Sequence, residues 1–284
     1  MKYYKKLDGI EIIGLEEFNI EHILLCGQVF RFYHNEKDDT WIVYSKDKKA
    51  IVKEYRQDNR AFIYTIDQDY FINYFDLNTS YKNIKEKLRS YNIDFLNKAI
   101  DCFYGIRILH QDIFETFFSF LISSNNNIKR IQGIIERMCD SIGTDKGDYK
   151  AFPDYVQLKN TTYQQFLDFG LGYRARYFEK TLQAMNDENT LQNLVNLSED
   201  EIKKSLMNYC GVGEKVADCV MLFGYGCPSS FPVDVWIEKM YNTYFGNETN
   251  RHTISKNLVE IFGKLSGYAQ QYLFFYIKNG LTNE

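Results

Sequence analysis

A glycine turn between two helix-like segments places one lysine where it could act as a nucleophile. In the segment 206–218, Gly211-Val212-Gly213 predicts a tight turn, because glycines adopt backbone angles that other residues avoid. The second helix is predicted to begin at about Glu214, which gives a helix-hairpin-helix. Lys215 then lies in the first turn, where the helix dipole disfavours an ammonium and favours the neutral amine that forms a Schiff base. The alternative role for such a lysine is phosphate binding.

The same turn is a candidate anion site. The first backbone N–H groups of a helix have no intrahelical acceptor, so they can bind a phosphate without any net positive charge. Backbone contacts to DNA are therefore expected at Gly211, Gly213 and Val216.

A carboxylate follows in the stretch SFPVDVW, residues 230–236. Pro232 holds the chain extended, and Asp234 then takes the N-cap position of another helix. Taken alone, Asp234 is an ordinary cap. Combined with the hairpin and Lys215, it completes a pattern that carries chemistry.

This combination resembles the helix-hairpin-helix superfamily of DNA glycosylases. In that superfamily the lysine attacks C1′ of the damaged nucleotide and the aspartate supports it. Members without the lysine only hydrolyse the base, so Lys215 implies a lyase-competent enzyme. The six cysteines are scattered and form no C-x-x-C pair, so we expect no iron–sulfur cluster and no required cofactor.

Further stretches are similar to the 8-oxoguanine DNA glycosylases of the eukaryotic type. Together they span residues 27–274, which is most of the chain. The stretches are 26–31 (CGQVFR), 123–130 (SSNNNIKR), 171–177 (LGYRARY), 211–219 (GVGEKVADC), 231–235 (FPVDV) and 268–274 (YAQQYLF).

The resemblance implies a pocket for the damaged base. N7 of guanine is a hydrogen-bond acceptor, whereas in 8-oxoguanine it carries a hydrogen, so the Gly27 carbonyl would attract the lesion and repel guanine. Cys219 and Phe274 would enclose the flipped base, and Gln270 would read its Watson–Crick edge. Plain core packing is the alternative for Cys219 and Phe274.

A second group of residues would recognise the opposite base. Asn125, Arg130 and Arg174 match the family positions that read an estranged cytosine, whose pairing edge offers two acceptors to arginine donors. Tyr173 matches the side chain wedged into the base stack. Arg176 has no such match, and we interpret it as a DNA-backbone or surface contact.

The chain departs from the family pattern at two positions. Cys210 replaces a proline that commonly precedes the glycine turn, and Trp236 replaces a histidine that lies near a DNA phosphate in the animal enzymes. The second departure puts that phosphate contact in doubt. As in relatives, a structural ion could be held by the backbone carbonyls of Met207, Tyr209 and Val212.

The elements around these residues predict an α+β fold. Before residue 80, short β-prone runs at 40–44, 50–52 and 61–65 predict an N-terminal antiparallel β-sheet lobe. After residue 80 the periodicity is helical, with helix starts predicted at Asp112 and at the Ser198–Glu201 capping box. We therefore expect a β-rich domain at 1–80 and a larger helical body with the helix-hairpin-helix at 81–284.

Composition and charge limit the function classes. The formal net charge is −4, which argues against a protein that coats nucleic acid by bulk charge and predicts a shallow salt dependence of DNA binding. The N-terminus has no signal-peptide pattern and no run could span a bilayer. We expect a monomer in the cytoplasm, associated with the nucleoid in a prokaryote and not with a membrane.

The primary hypothesis is a bifunctional DNA glycosylase and AP lyase acting on duplex DNA. It would excise 8-oxoguanine, preferably opposite cytosine, through a Lys215 Schiff base and β-elimination. One alternative is a glycosylase of the same superfamily for another damaged purine. The other is a non-catalytic DNA-binding module that uses the hairpin only to hold phosphates.

Overall fold

A six-stranded antiparallel sheet occupies the first part of the chain in a computed structural model, which describes residues 1–280. The strands lie in the order β1-β2-β6-β5-β4-β3. Their bounds are β1 Lys2–Lys6, β2 Gly9–Ile13, β3 Phe32–Asn35, β4 Thr40–Ser45, β5 Lys48–Tyr55 and β6 Arg60–Tyr64.

The predicted β-prone runs are confirmed as β4, β5 and β6. Alternation explains their placement, since Val52 and Ile63 pair across β5 and β6 and are fully buried, whereas their neighbours point to the other face. The sequence did not predict β1, β2 and β3. Strand β1 is an edge strand with the polar sequence KYYKK, so a search for apolar alternation overlooks it.

Fourteen α-helices lie within residues 1–280. The first two accompany the sheet, and the other twelve form the helical body. Their bounds are α1 Ile20–Leu25, α2 Gln68–Tyr74, α3 Tyr81–Arg89, α4 Asp94–Cys102, α5 Ile113–Ser123, α6 Ile128–Ile142, α7 Tyr155–Lys159, α8 Tyr163–Asp168, α9 Arg174–Ala184, α10 Glu199–Met207, α11 Glu214–Phe223, α12 Val235–Tyr244, α13 Arg251–Phe262 and α14 Ser266–Lys278.

The predicted α+β fold class is confirmed. One hydrophobic cluster lies under the sheet with α1 and α2. A second joins α3 and α4 to α12–α14, and a third joins α5 and α6 to the helices that end with α11. The domain boundary near residue 80 remains a prediction. None of the helices in residues 1–280 is long and apolar enough to cross a membrane.

Side-chain caps explain why the helices begin where they do. The Asp112 carboxylate accepts from the Glu115 amide at 2.9 Å and starts α5. At α10, the Ser198 amide and hydroxyl donate to the Glu201 carboxylate at 3.0 and 2.6 Å. Both predicted helix starts are therefore confirmed.

Arg107 fixes the junction between the sheet and the helices. The side chain is fully buried, and its guanidinium donates to the carbonyls of Phe75 at 2.9 Å, Glu17 at 3.0 Å and Thr79 at 2.9 Å, and also to that of Asp76. Buried carbonyls need partners, so one side chain here satisfies four backbone groups.

We expect Arg107→Ala to lower the free energy of unfolding by about 3–5 kcal/mol, because the buried carbonyls lose their donor. Urea denaturation followed by circular dichroism measures this. Arg60→Ala, on the surface of β6, is the matched control and should cost less than about 1 kcal/mol. Equal losses in the two variants would contradict this role of Arg107.

Candidate active site and nucleic-acid interface

The hairpin between α10 and α11 is closed by a turn that only glycine fits. Gly211 has φ +85°, in the left-handed region, and a Cβ there would lie 2.3 Å from Cδ2 of Tyr177. The Val212 amide donates to the Tyr209 carbonyl at 3.1 Å within the turn. Helix α11 begins at Glu214, which confirms the predicted helix-hairpin-helix.

The N-terminus of α11 is open to an anion. Its N-cap is Gly213, which has no side chain to satisfy the amides of the first turn. No other atom lies within 4 Å of where a Cβ on Gly213 would be, so the approach is unobstructed. The Val216 side chain is buried while its amide belongs to this first turn, and Gly211 packs on Tyr177.

Lys215 is half-buried at the start of α11. Its Nζ lies 3.5 Å from Oγ of Ser123 and 5.3 Å from the ring centroid of Phe120. A 3.5 Å separation is at the outer limit of hydrogen bonding, so the amine is only weakly held. Sequence reasoning missed Ser123 and Phe120, which form this environment from α5.

Asp234 is held rigidly by its own helix. Oδ1 accepts from the amides of Trp236 and Ile237, both at 3.0 Å, and so caps α12 as predicted. The carboxylate also lines the same cavity as Lys215. One side chain thus serves as an N-cap and presents a negative charge near the amine.

The structure brings together all six residues predicted for catalysis and base recognition. They line one cavity of about 50 Å³ with Cys26, Phe120, Phe223, Pro232 and Gln271. A cavity of that size holds only one or two water molecules. The six are Gly27, Lys215, Cys219, Asp234, Gln270 and Phe274.

Gly27 lies in a loop that Gln28 holds in place. The Gln28 side chain is fully buried, donates to the carbonyls of Ile23 at 2.9 Å and Arg107 at 2.8 Å, and accepts from the Leu109 amide at 2.8 Å. Gly27 itself has φ +84°, and a Cβ there would lie 3.0 Å from Cε1 of Phe274. The Phe274 ring therefore stands against the loop that would read the lesion.

The other pocket residues are already engaged. Burial raises the pKa of the Cys219 thiol to about 11, so it packs as a neutral group. The Gln270 amide donates to the Pro232 carbonyl at 3.2 Å and accepts from Gln271 at 2.7 Å. Gln270 must exchange these partners before it can read a base.

Three of the four residues predicted to read the opposite base meet at one turn. The Arg174 guanidinium donates to the carbonyls of Ser124 at 2.9 Å and Asn125 at 2.8 Å, and it lies 4.4 Å from the Tyr173 ring. Asn125 has φ +48°, an uncommon conformation for a residue other than glycine. Ser123 in the adjoining position contacts Lys215, so this turn touches both groups of predicted site residues.

Exposure differs sharply among these side chains. Arg174 is only 2% exposed, so it cannot reach a base unless this turn releases it. Tyr173 is 51% exposed and free to enter a base stack, and Arg130 is exposed in the first turn of α6. Arg176 is also exposed, which is compatible with its predicted surface role.

Comparison with known proteins adds an independent finding. The profile of the 8-oxoguanine DNA glycosylase N-terminal domain matches residues 12–117. The Clostridium acetobutylicum 8-oxoguanine glycosylase/lyase, crystallised with duplex DNA containing cytosine opposite 8-oxoguanine, is 33% identical over 99% of both chains, with a TM-score of 0.89. This chain belongs to the 8-oxoguanine DNA glycosylase family. The N-glycosylase/DNA lyase of Saccharomyces cerevisiae is 29% identical over 275 residues, covering 86% of this chain and 73% of the yeast protein.

A more distant likeness concerns the fold alone. The 3-methyladenine DNA glycosylase of Archaeoglobus fulgidus is 14% identical, covers 94% of this chain and 98% of its own, and has a TM-score of 0.74.

The two departures from the 8-oxoguanine glycosylase pattern lie at the surface of the site. Trp236 is 40% exposed beside Asp234, and Cys210 is part-exposed in the hairpin turn. Within residues 1–280, no group of three or more His, Cys, Asp or Glu could hold a metal ion. A larger cavity of about 610 Å³ between β3, β4 and α6 contains none of the predicted site residues.

An ion pair that the sequence did not predict joins the two helices of the hairpin. Lys203 on α10 lies 2.7 Å from the Asp218 carboxylate on α11. On the same side of α11, Glu214 lies 2.9 Å from Nδ1 of His252 on α13. These contacts brace α11 from behind while Lys215 faces the cavity.

Burial raises the pKa of Asp218 to about 6, from 3.8 when exposed. The folded state therefore binds the proton more tightly than the unfolded state. The resulting stabilisation is complete below about pH 4 and is lost as the pH rises through 6.

We expect Asp218→Asn to abolish this loss, so its stability relative to the wild type should increase by about 2–3 kcal/mol between pH 4 and pH 7. Urea unfolding at several pH values measures the difference. Asp200→Asn, at an exposed position of α10, should follow the wild-type profile. An Asp218→Asn profile parallel to that of the wild type would disprove the assignment.

Proposed function

We propose that this chain is a bifunctional DNA glycosylase and AP lyase that removes 8-oxoguanine from duplex DNA, preferably opposite cytosine. The observation that carries the proposal is the convergence of Lys215, Asp234 and the Gly27 loop on one cavity, next to the open N-terminus of α11. A nucleophile, a carboxylate and a base-reading carbonyl are thus within reach of one extruded nucleotide.

The Gly27 carbonyl would discriminate the lesion from guanine. It accepts a hydrogen bond from N7–H of 8-oxoguanine and repels the N7 lone pair of guanine. A single such bond contributes about 1–3 kcal/mol, which is too little to reject the large excess of guanine. Extrusion from the duplex must therefore add to the selectivity.

Phe274 must move before a purine can enter. The cavity of about 50 Å³ accommodates only water-sized groups, and the Phe274 ring lies against Gly27. Displacement of this ring toward the open side of the pocket would create a slot between Cys219 and Phe274. The free protein is therefore a closed state, and the extruded base selects the open one.

The chemistry would begin with attack of the neutral Lys215 amine on C1′. The N-glycosidic bond breaks, its electron pair leaves with the base, and Asp234 stabilises the positive charge that develops on the sugar. The lysine nitrogen loses its protons and the C1′–O4′ bond opens, which gives a Schiff base. Loss of a C2′ proton then expels the 3′ phosphate by β-elimination and nicks the strand.

The remaining residues would hold the duplex. The first amides of α11 would bind a backbone phosphate, Tyr173 would fill the gap in the stack, and Arg130, Arg174 and Asn125 would read the estranged cytosine. The buried Arg174 would exchange the Ser124 and Asn125 carbonyls for base acceptors. We propose that the protein acts as a monomer in the cytoplasm.

A cation site at the hairpin fits the residues present. The carbonyls of Met207, Tyr209 and Val212 are hard oxygen ligands, and the Tyr209 carbonyl keeps one lone pair beyond its bond to the Val212 amide. Such an ion would stiffen the turn, and no step of the reaction passes through it.

Borohydride trapping tests the chemical role of Lys215. With a duplex carrying 8-oxoguanine opposite cytosine, reduction of the Schiff base should give a stable protein–DNA adduct, visible as a shifted band on a denaturing gel. We expect Lys215→Gln to reduce the adduct by at least about 100-fold, because no other side chain supplies the attacking amine.

Lys204→Gln, on the exposed face of α10, is the matched control and should trap as the wild type does. An undiminished adduct in Lys215→Gln would refute the lysine assignment. Wild-type binding to the duplex without release of any base would instead favour the non-catalytic DNA-binding module.

A further inference from the structure

The face of α14 that lines the pocket continues beyond the pocket to a lysine. Gln270 and Phe274 are one helical turn apart and both line the cavity. Lys278 is one turn further along, so it lies on the same side of α14. It is the last residue of the helix, where the dipole favours a positive charge.

Lys278 is a half-buried cation without a hydrogen-bonding or ionic partner inside residues 1–280. Its Nζ lies 5.6 Å from the ring centroid of Phe274, the ring that must move to admit a base. Burial lowers the pKa of Lys278, while the Asp234 carboxylate and the Cys26 thiol oppose that shift. A part-buried charge is costly when nothing pairs with it, so this position favours an incoming anion.

The opposite rim of the pocket supplies no positive charge. Val235 and Trp236 follow Asp234 at the start of α12 and are 59% and 40% exposed. Both side chains are apolar or aromatic. Beside Asp234, the positively charged groups are therefore Lys215, which the proposed reaction uses as a nucleophile, and Lys278.

We infer that Lys278 binds a backbone phosphate of the extruded nucleotide. Extrusion carries the phosphates that flank the damaged nucleotide to the rim of the pocket, and an ammonium on a flexible stem suits such a contact. The contact would form only after the nucleotide leaves the stack. It would also draw the Lys278 side chain off the Phe274 ring and so assist opening of the pocket. This inference rests on the proposed function.

The competing role for Lys278 is structural, as a cover over Phe274. The two roles differ in their dependence on salt, because each phosphate contact releases counterions and contributes about 0.9 to the slope of log K against log salt. A purely structural lysine contributes nothing to that slope.

The test uses a duplex with a tetrahydrofuran abasic analogue opposite cytosine, which is bound but not processed, and an undamaged duplex of the same sequence. Fluorescence anisotropy gives Kd for each between about 50 and 200 mM salt. We expect Lys278→Gln to weaken binding of the abasic duplex roughly five- to tenfold near 0.1 M salt and to reduce the slope by about 0.9. Lys278→Arg should keep the wild-type slope.

Lys264→Gln, which removes the same charge at an exposed site before α14, should bind like the wild type. An unchanged slope in Lys278→Gln overturns the inference, whatever happens to affinity. An equal change of slope on the undamaged duplex also overturns it, because that duplex presents no extruded nucleotide. A wild type that fails to prefer the abasic duplex would overturn the proposed function itself, which the variants alone cannot do.

Discussion

The tight turn between α10 and α11 determines the geometry of the site. Gly211 lies so close to the Tyr177 ring that no side chain fits, and this contact fixes where α11 begins. From that starting point follow the open amides of the first turn and the place of Lys215 over the cavity. The Lys203–Asp218 ion pair then holds the two helices of the hairpin together. A shift of one residue in this turn would rotate Lys215 away from Asp234.

The free protein satisfies within itself the groups that DNA would use. Arg174 donates to two carbonyls, Gln270 is bonded to its neighbours, and Phe274 closes the pocket against Gly27. DNA must replace each of these contacts with one of similar strength, so affinity depends on a small difference between large terms. This exchange also gives selectivity, because an undamaged nucleotide repays fewer of the broken contacts.

Local features of the chain could be predicted from the sequence, whereas long-range partners could not. The hairpin, the Asp234 cap and strands β4 to β6 depend on turn chemistry, capping and alternation, all of which are visible within a few residues. The roles of Gln28 and Arg107 depend on carbonyls far away in the chain. Resemblance gave the members of the site, but the burial of Arg174 follows from a turn whose conformation no local pattern reveals.

The net charge of −4 is compatible with a site that relies on backbone amides and a few placed cations rather than on bulk attraction. The central claim is that this site releases 8-oxoguanine and reads cytosine opposite it. Single-turnover release of 8-oxoguanine from four duplexes that differ only in the opposite base tests this most directly. The account predicts the fastest release opposite cytosine and the slowest opposite adenine, whose exocyclic donor faces arginine donors. Equal release from all four duplexes, or fastest release opposite adenine, would contradict it.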